Sequence, residues 1–221
     1  MKRNIAYILG LFEDQEDPLF RYLKEYIESS GVACFGIEPF AEEVFGTQTF
    51  HKTVQRVQEC IDILKPEMIV AHSLGAYAVL QISTDLPVIL LDPSLALADI
   101  VLNNAKHYDG AYFYADGKRR VELSPEFVES IKRMPPIEKS PVNMTSQDIY
   151  IFGAGRGGYK IAERYQKHMP HAHYIFLPYA NHEFSTEDDR QRILAVIKKR
   201  LDAMSNRREG VHTKPSRMCA N

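Results

Sequence analysis

The chain has no tryptophan, only three cysteines, and no long apolar run among its 221 residues. Cys34, Cys60 and Cys219 are scattered, odd in number and without metal-ligand spacing, which argues against a disulfide scaffold or a zinc module and points to a reducing cytoplasmic setting. No apolar stretch approaches the ~20 residues of a membrane-spanning helix. The N-terminus has a basic start and a short apolar run, but it meets Glu13 and Asp14 without a small-residue cleavage site. It therefore reads as a first strand and not as a secretory signal. An excess of one charge sign is also missing: 27 Lys and Arg against 29 Asp and Glu give a net charge of −2. The basic surface that nucleic acid demands is absent, so no nucleic-acid partner is expected. Internal repeats are absent too. What is present is an ordinary globular mixture, 45% apolar and 25% charged, with 12 Tyr and 11 Phe for aromatic bulk. The length suits one large domain, and nothing in it sets an oligomeric state.

Strand-like and helix-like segments alternate. Residues 4–10 form a continuous apolar run, read as a buried strand. Residues 18–30 carry Leu19, Tyr22, Leu23, Tyr26 and Ile27 at helical spacing, and Gly31 stops them. Strands at 32–37, 68–71 and 88–91 alternate with helices at 50–64 and 74–83. After Asp92 the rhythm breaks. Residues 95–147 hold no clear strand–helix unit, only a short hairpin-like strand at 111–116 and a helix opened by Ser124 and Pro125. The rhythm resumes with a strand at 149–152, a helix at 158–168, a strand at 173–177 and a last helix at 188–204. The pattern predicts a mostly parallel, doubly wound sheet covered by helices on both faces, with 95–147 inserted as a helical or irregular cap over the carboxyl ends of the strands. Residues 205–221 are expected to be a disordered, solvated basic tail.

The most informative stretch is Ala71-His72-Ser73-Leu74-Gly75, between a strand and a helix. A serine hydroxyl attacks only when a base takes its proton and a third group orients that base. A sharp strand-to-helix turn lifts the serine above the sheet and aims the next backbone N–H at a developing oxyanion. Such a turn needs small residues two before and two after the serine, here Ala71 and Gly75. The alternative is an ordinary small-residue turn with no chemistry.

A base should follow the last strand, and Pro178-Tyr179-Ala180-Asn181-His182 supplies His182 on the same rim as Ser73. His72 is expected to pack in the turn and is a weaker candidate for the base, and His171 and His173 precede the strand on the opposite rim. For the acid, the loop after residue 152 is Gly-rich and has no carboxylate, whereas Asp92 ends the strand at 88–91 on the correct rim. An Asp opening a Pro turn is also common. Asp92 is the favoured acid, with Glu183 and Asp188 as alternatives.

These residues give the chain a resemblance to the α/β-hydrolase superfamily, in a small esterase- or lipase-like form that starts at what the family counts as its third strand. The resemblance spans roughly residues 4–204 and rests on the A-H-S-L-G turn, the A-N-H-E-F loop and the order Ser, Asp, His. Most members carry the acid one strand later than Asp92, while a pancreatic-lipase-like minority carries it here within a similar Leu-Asp-Pro run. The resemblance implies a serine hydrolase cleaving a carboxylic ester or thioester through an acyl-enzyme. Its catalytic residues would be Ser73, His182 and Asp92, and its oxyanion hole the backbone N–H groups of Leu74 and, by position, Leu11. Many relatives have His-Gly where this chain has Leu9-Gly10. No cofactor or metal is implied, and the expected partner is a small acyl ester or thioester. The cap aromatics Tyr108, Tyr112, Phe113, Tyr114 and Phe127 are expected to shape its pocket.

Two other readings stay open. One is a hydrolase fold that binds a ligand or partner without chemistry. The other rests on Gly153-x-Gly155-x-x-Gly158, a dinucleotide fingerprint between a strand and a helix. The acid that should hold the ribose about 20 residues later is missing, since that place reads Leu177-Pro178-Tyr179.

Overall fold

The computed structural model describes residues 3–42, 44–94, 105–108, 111–115, 120–134 and 148–211. The remainder of the expected cap and tail lies outside the described residues. Six parallel strands form the main sheet: β1 (Asn4–Ile8), β2 (Ala33–Ile37), β3 (Met68–His72), β4 (Val88–Leu91), β8 (Ile149–Ala154) and β9 (His173–Leu177). Their order is β2-β1-β3-β4-β8-β9. The helices are α1 (Pro18–Ser29), α2 (Phe50–Leu64), α3 (Ser73–Val79), α4 (Pro125–Lys132), α5 (Gly155–His168) and α6 (Glu187–Val211). The doubly wound sheet inferred from the sequence is therefore observed. Among the described residues no helix is long and apolar enough to cross a membrane.

Strand alternation divides the interior into two cores. Ile5, Tyr7, Leu9, Met68 and Val70 point to one face, where they pack with Leu19, Phe20, Leu23 and Ile27 of α1 and Ile193 and Ile197 of α6. Ala6, Ile8, Ile69 and Ala71 point to the other, against Val54, Val57 and Ile61 of α2 and Tyr165 of α5. Both faces are dry, which is why β3 and β4 are buried along their whole length and read as apolar runs, interrupted only by His72 at the end of β3. Local signals set the helix starts. The Asp17 carboxylate accepts the N–H groups of Leu19 and Phe20 at 3.0 and 2.9 Å, with Pro18 at the first helical position.

Several boundaries differ from the sequence reading, β1 among them, which ends at Ile8 and not at residue 10. β8 continues to Ala154, so α5 begins at Gly155 and not at Gly158. Helix α3 ends at Val79, short of residue 83, and α6 runs on to Val211, so residues 205–211, expected in a disordered tail, are helical. The insert after β4 holds a three-stranded antiparallel sheet, β5 (Ala105–Tyr108), β6 (Ala111–Ala115) and β7 (Arg120–Leu123), in place of a single hairpin strand. Strands β5 and β7 are four residues each and carry polar side chains, so neither leaves an alternating apolar signature. Helix α4 starts as expected, with the Ser124 hydroxyl accepting the Phe127 N–H at 3.1 Å.

The insert is tied to the body through aromatics. Phe45 meets Phe127 of α4 at 5.1 Å and Tyr114 of β6 at 5.6 Å between ring centroids. Phe12, in the loop after β1, packs edge-on against both Phe45 and Tyr114. Tyr114 and Phe127 are thus buried braces. Replacing Phe127 with Ala should cost about 3–5 kcal/mol, read as a lowered urea midpoint at unchanged slope. A loss below about 1 kcal/mol would show that the insert does not share the core.

Candidate active site

The register of the central strands sets the site. β3 and β4 pair with His72 opposite Leu91, so the next residue of each strand, Ser73 and Asp92, stands on the same rim. Both leave their strands in the left-handed region, with φ of 52° and 40°. Such backbone costs of order 1–3 kcal/mol at a non-glycine residue and persists only where the surroundings enforce it. At Ser73 the enforcement is steric. A methyl group at Gly75 would drive into the carbonyl oxygens of Leu9 and Ile8, so α3 lies directly against the backbone of β1. Only glycine permits that approach, and Ala71 is fully buried beneath the turn.

His182 arrives from the far side of the sheet. β9 lies next to β8, which separates it from β4, so the segment after Leu177 must reach back over β8. Its path is pinned downstream by Phe184, fully buried at a φ of 45°, whose carbonyl accepts the Arg190 Nε–H at 3.0 Å. The His182 Nδ1 lies 2.6 Å from Asp92 Oδ2, and Nε2 lies 2.8 Å from Ser73 Oγ. A carboxylate only accepts, so Nδ1 carries the proton, and Nε2 is left to accept from the serine hydroxyl. Asp92 Oδ1 in turn accepts the Ala154 N–H at 3.0 Å, which fixes the carboxylate plane. Ser73 and Asp92 are buried, while the His182 side chain is 45% exposed and open to an incoming molecule. The structure therefore brings together the three side chains singled out in the sequence. Of the alternative acids, Asp188 pairs with Arg192 on the surface and Glu183 is exposed.

Leu74 lies in the first turn of α3, where a backbone N–H has no carbonyl within its own helix. Leu11 follows Gly10 in the loop after β1, and a Cβ on Gly10 would sit 3.0 Å from the Cβ of Ser73. The oxyanion donors proposed from sequence thus lie on the two segments that flank the serine.

One pair escaped the sequence reading. In the sequence Glu13 reads only as an acid that ends an apolar run, and His72 as packing and a lesser candidate for the base. In the structure Glu13 Oε1 lies 2.5 Å from His72 Nδ1, and Glu13 Oε2 accepts the Gly10 N–H at 2.6 Å. His72 Nε2 lies 2.8 Å from the carbonyl oxygen of His182. The His72 side chain is 2% exposed. Its burial works against protonation, but the Glu13 charge and hydrogen bond outweigh it and raise the pKa to about 9. Burial likewise works against charge on Glu13, yet the His72 ring and the Gly10 N–H hold that carboxyl below the usual carboxylate range. The signal available in the sequence was an acid in the loop after the first strand, on the rim that carries Ser73.

The glycine fingerprint sits at the start of α5 with a different occupant. The Asp92 carboxylate already bonds Ala154, the residue that caps this helix. A pyrophosphate placed there would face that negative charge.

No family model matches the chain, and no curated protein matches it by sequence. Solved structures do match. An esterase domain from Rhodothermus marinus is 17% identical, with 93% of this chain and 87% of that chain covered and a TM-score of 0.61. Est1E from Butyrivibrio proteoclasticus, solved with ferulic acid bound, is 15% identical over 92% and 90% of the two chains, at a TM-score of 0.67. Mouse alpha/beta hydrolase domain-containing protein 10 is 13% identical over 91% and 90%, at 0.65. The chain has the α/β-hydrolase fold, and its structural neighbours include esterases and hydrolases.

Two outcomes follow from this geometry. Gly75→Ala should destabilise the fold by about 1–3 kcal/mol in chemical denaturation, because the obstacle is backbone and cannot rotate away. His72, whose pKa is raised on folding, contributes stability that is complete below its unfolded value of 6.5 and is lost as pH rises through about 9. Unfolding free energy should therefore fall between pH 6.5 and 9. The Cys34 thiol, pushed up to about 12 by burial, adds its own loss only above the ordinary thiol pKa of 9.0. A flat profile across the lower window would contradict a charged His72.

Proposed function

We propose that the protein is a serine hydrolase that cleaves a carboxylic ester or thioester through an acyl-enzyme. The observation that carries this reading is the unbroken chain Asp92–His182–Ser73, at 2.6 and 2.8 Å, ending on a serine held at positive φ. The Ser73 Oγ attacks the carbonyl carbon as His182 Nε2 takes its proton. Asp92, bonded to Nδ1–H, holds the reactive tautomer and offsets the imidazolium that forms. The N–H groups of Leu74 and Leu11 stabilise the tetrahedral oxyanion, each such donor being typically worth about 3–4 kcal/mol of barrier. His182 then protonates the leaving alcohol or thiol, and water repeats the sequence on the acyl-enzyme. The esterases among the structural neighbours, one of them with ferulic acid bound, support an ester as substrate. Free thiols at Cys34 and Cys60 accord with a cytoplasmic setting.

A fluorophosphonate probe should label the folded protein at Ser73, and Ser73→Ala should abolish labelling. Failure of the folded wild type to label would favour a binding protein built on the same fold. Asp92→Asn should lower kcat on a p-nitrophenyl ester by roughly 10⁴-fold through the wrong His182 tautomer. An unchanged rate would remove Asp92 from the mechanism.

A further inference from the structure

We propose that the pair formed by buried His72 and largely covered Glu13 is a positioning element, a brace that holds the loop after β1 and the backbone of His182 in register with Ser73. The proposal rests on the hydrolase reading above. Three segments meet at this pair. Glu13 belongs to the loop after β1, His72 is the last residue of β3, and the carbonyl it faces is that of His182 itself. Glu13 also grips the Gly10 N–H, next to Leu11, the proposed oxyanion donor. Nucleophile, base and oxyanion loop are therefore cross-linked by hydrogen bonds that pass through two side chains outside the reacting chain.

The protonation state follows from geometry. His72 Nε2 faces a carbonyl oxygen, which only accepts, so Nε2 carries a hydrogen. Nδ1 faces a carboxylate oxygen at 2.5 Å, so a second proton lies between them. With Glu13 lowered and His72 raised, the arrangement is an imidazolium against a carboxylate, with both ring N–H groups donating. The groups facing His72 are Glu13 from the β1 loop, Asp17 from the cap of α1, and His182, whose ring centroid is 4.8 Å away. Asp92 lies beyond His182, and Phe184 borders the ring with an apolar edge. The two imidazoles are thus interleaved with two carboxylates. His72 does not touch the position of a reacting atom, since both of its nitrogens are committed elsewhere.

Losing charge and losing the brace are separable. In Glu13→Gln the amide oxygen can keep the Gly10 N–H, and the amide N–H can donate to Nδ1 of a neutral His72 whose Nε2–H still holds His182. In Glu13→Ala both bonds made by residue 13 are lost, and nothing then holds His72 in the orientation that donates Nε2–H to His182. On a p-nitrophenyl ester, Glu13→Ala should lower kcat about 10- to 100-fold with KM nearly unchanged, the scale of a small misplacement of reacting groups. Glu13→Gln should recover most of that loss. The wild type should also lose kcat as pH rises through about 9, where His72 gives up its proton and repels Glu13, and Glu13→Gln should lack that limb. A folded Glu13→Ala with wild-type kcat, or a Glu13→Gln as slow as Glu13→Ala, overturns the brace. Should Glu13→Ala not fold, persistence of the alkaline limb in Glu13→Gln overturns it equally. Nitrogen NMR of histidine-labelled wild type should find both His72 ring nitrogens protonated at pH 7 whether or not any ester turns over. A singly protonated ring sinks the pair, whereas an inert wild type with a doubly protonated His72 sinks the hydrolase reading alone.

Discussion

Ser73 and Asp92 stand side by side because two parallel strands hold one register. The ladder between β3 and β4 fixes His72 opposite Leu91, and the ladder between β4 and β8 fixes Leu91 opposite Phe152. A slip by one residue would turn each side chain to the other face of the sheet and exchange the two cores. Every later feature of the rim inherits this constraint. The left-handed turns begin where the ladders end, and the packing that sets the register also supports the strained backbone at both residues.

The fold was legible because its elements are long and periodic. Two dry faces make β3 and β4 apolar runs, interrupted only by His72 at the end of β3, and the apolar stripes of α1 and α2 repeat at helical spacing. The antiparallel sheet of the insert was hidden, since four-residue strands with polar side chains leave no pattern against which to count. Of the site, Ser73, His182 and Asp92 could be placed on one rim by element order alone. The Glu13–His72 pair could not. Its members lie on separate segments, the loop after β1 and the end of β3, and burial of a charged side chain in a loop is a tertiary fact that no spacing encodes.

That pair also shows how the molecule tolerates charge in its interior. A lone buried imidazolium would shed its proton, and a lone buried carboxylate would take one. Here each keeps the other ionised, and the remaining lone pairs and N–H groups are spent on backbone: Gly10 on one side and His182 on the other. Breaking such a pair from one end is costlier than its presence is stabilising, because the survivor is stranded without solvent. Stability and geometry at the rim are therefore coupled through the same two side chains.

The carboxylate of Asp92 at the mouth of α5 carries a wider consequence. Because it is tethered to the chain, its effective concentration there does not depend on what the surrounding solution contains. A phosphate group would have to evict a ligand that never diffuses away, and eviction would release His182 at the same stroke. The glycine-rich segment is thus a berth whose tenant is built in, and a search for cargo at that berth starts against an intramolecular competitor.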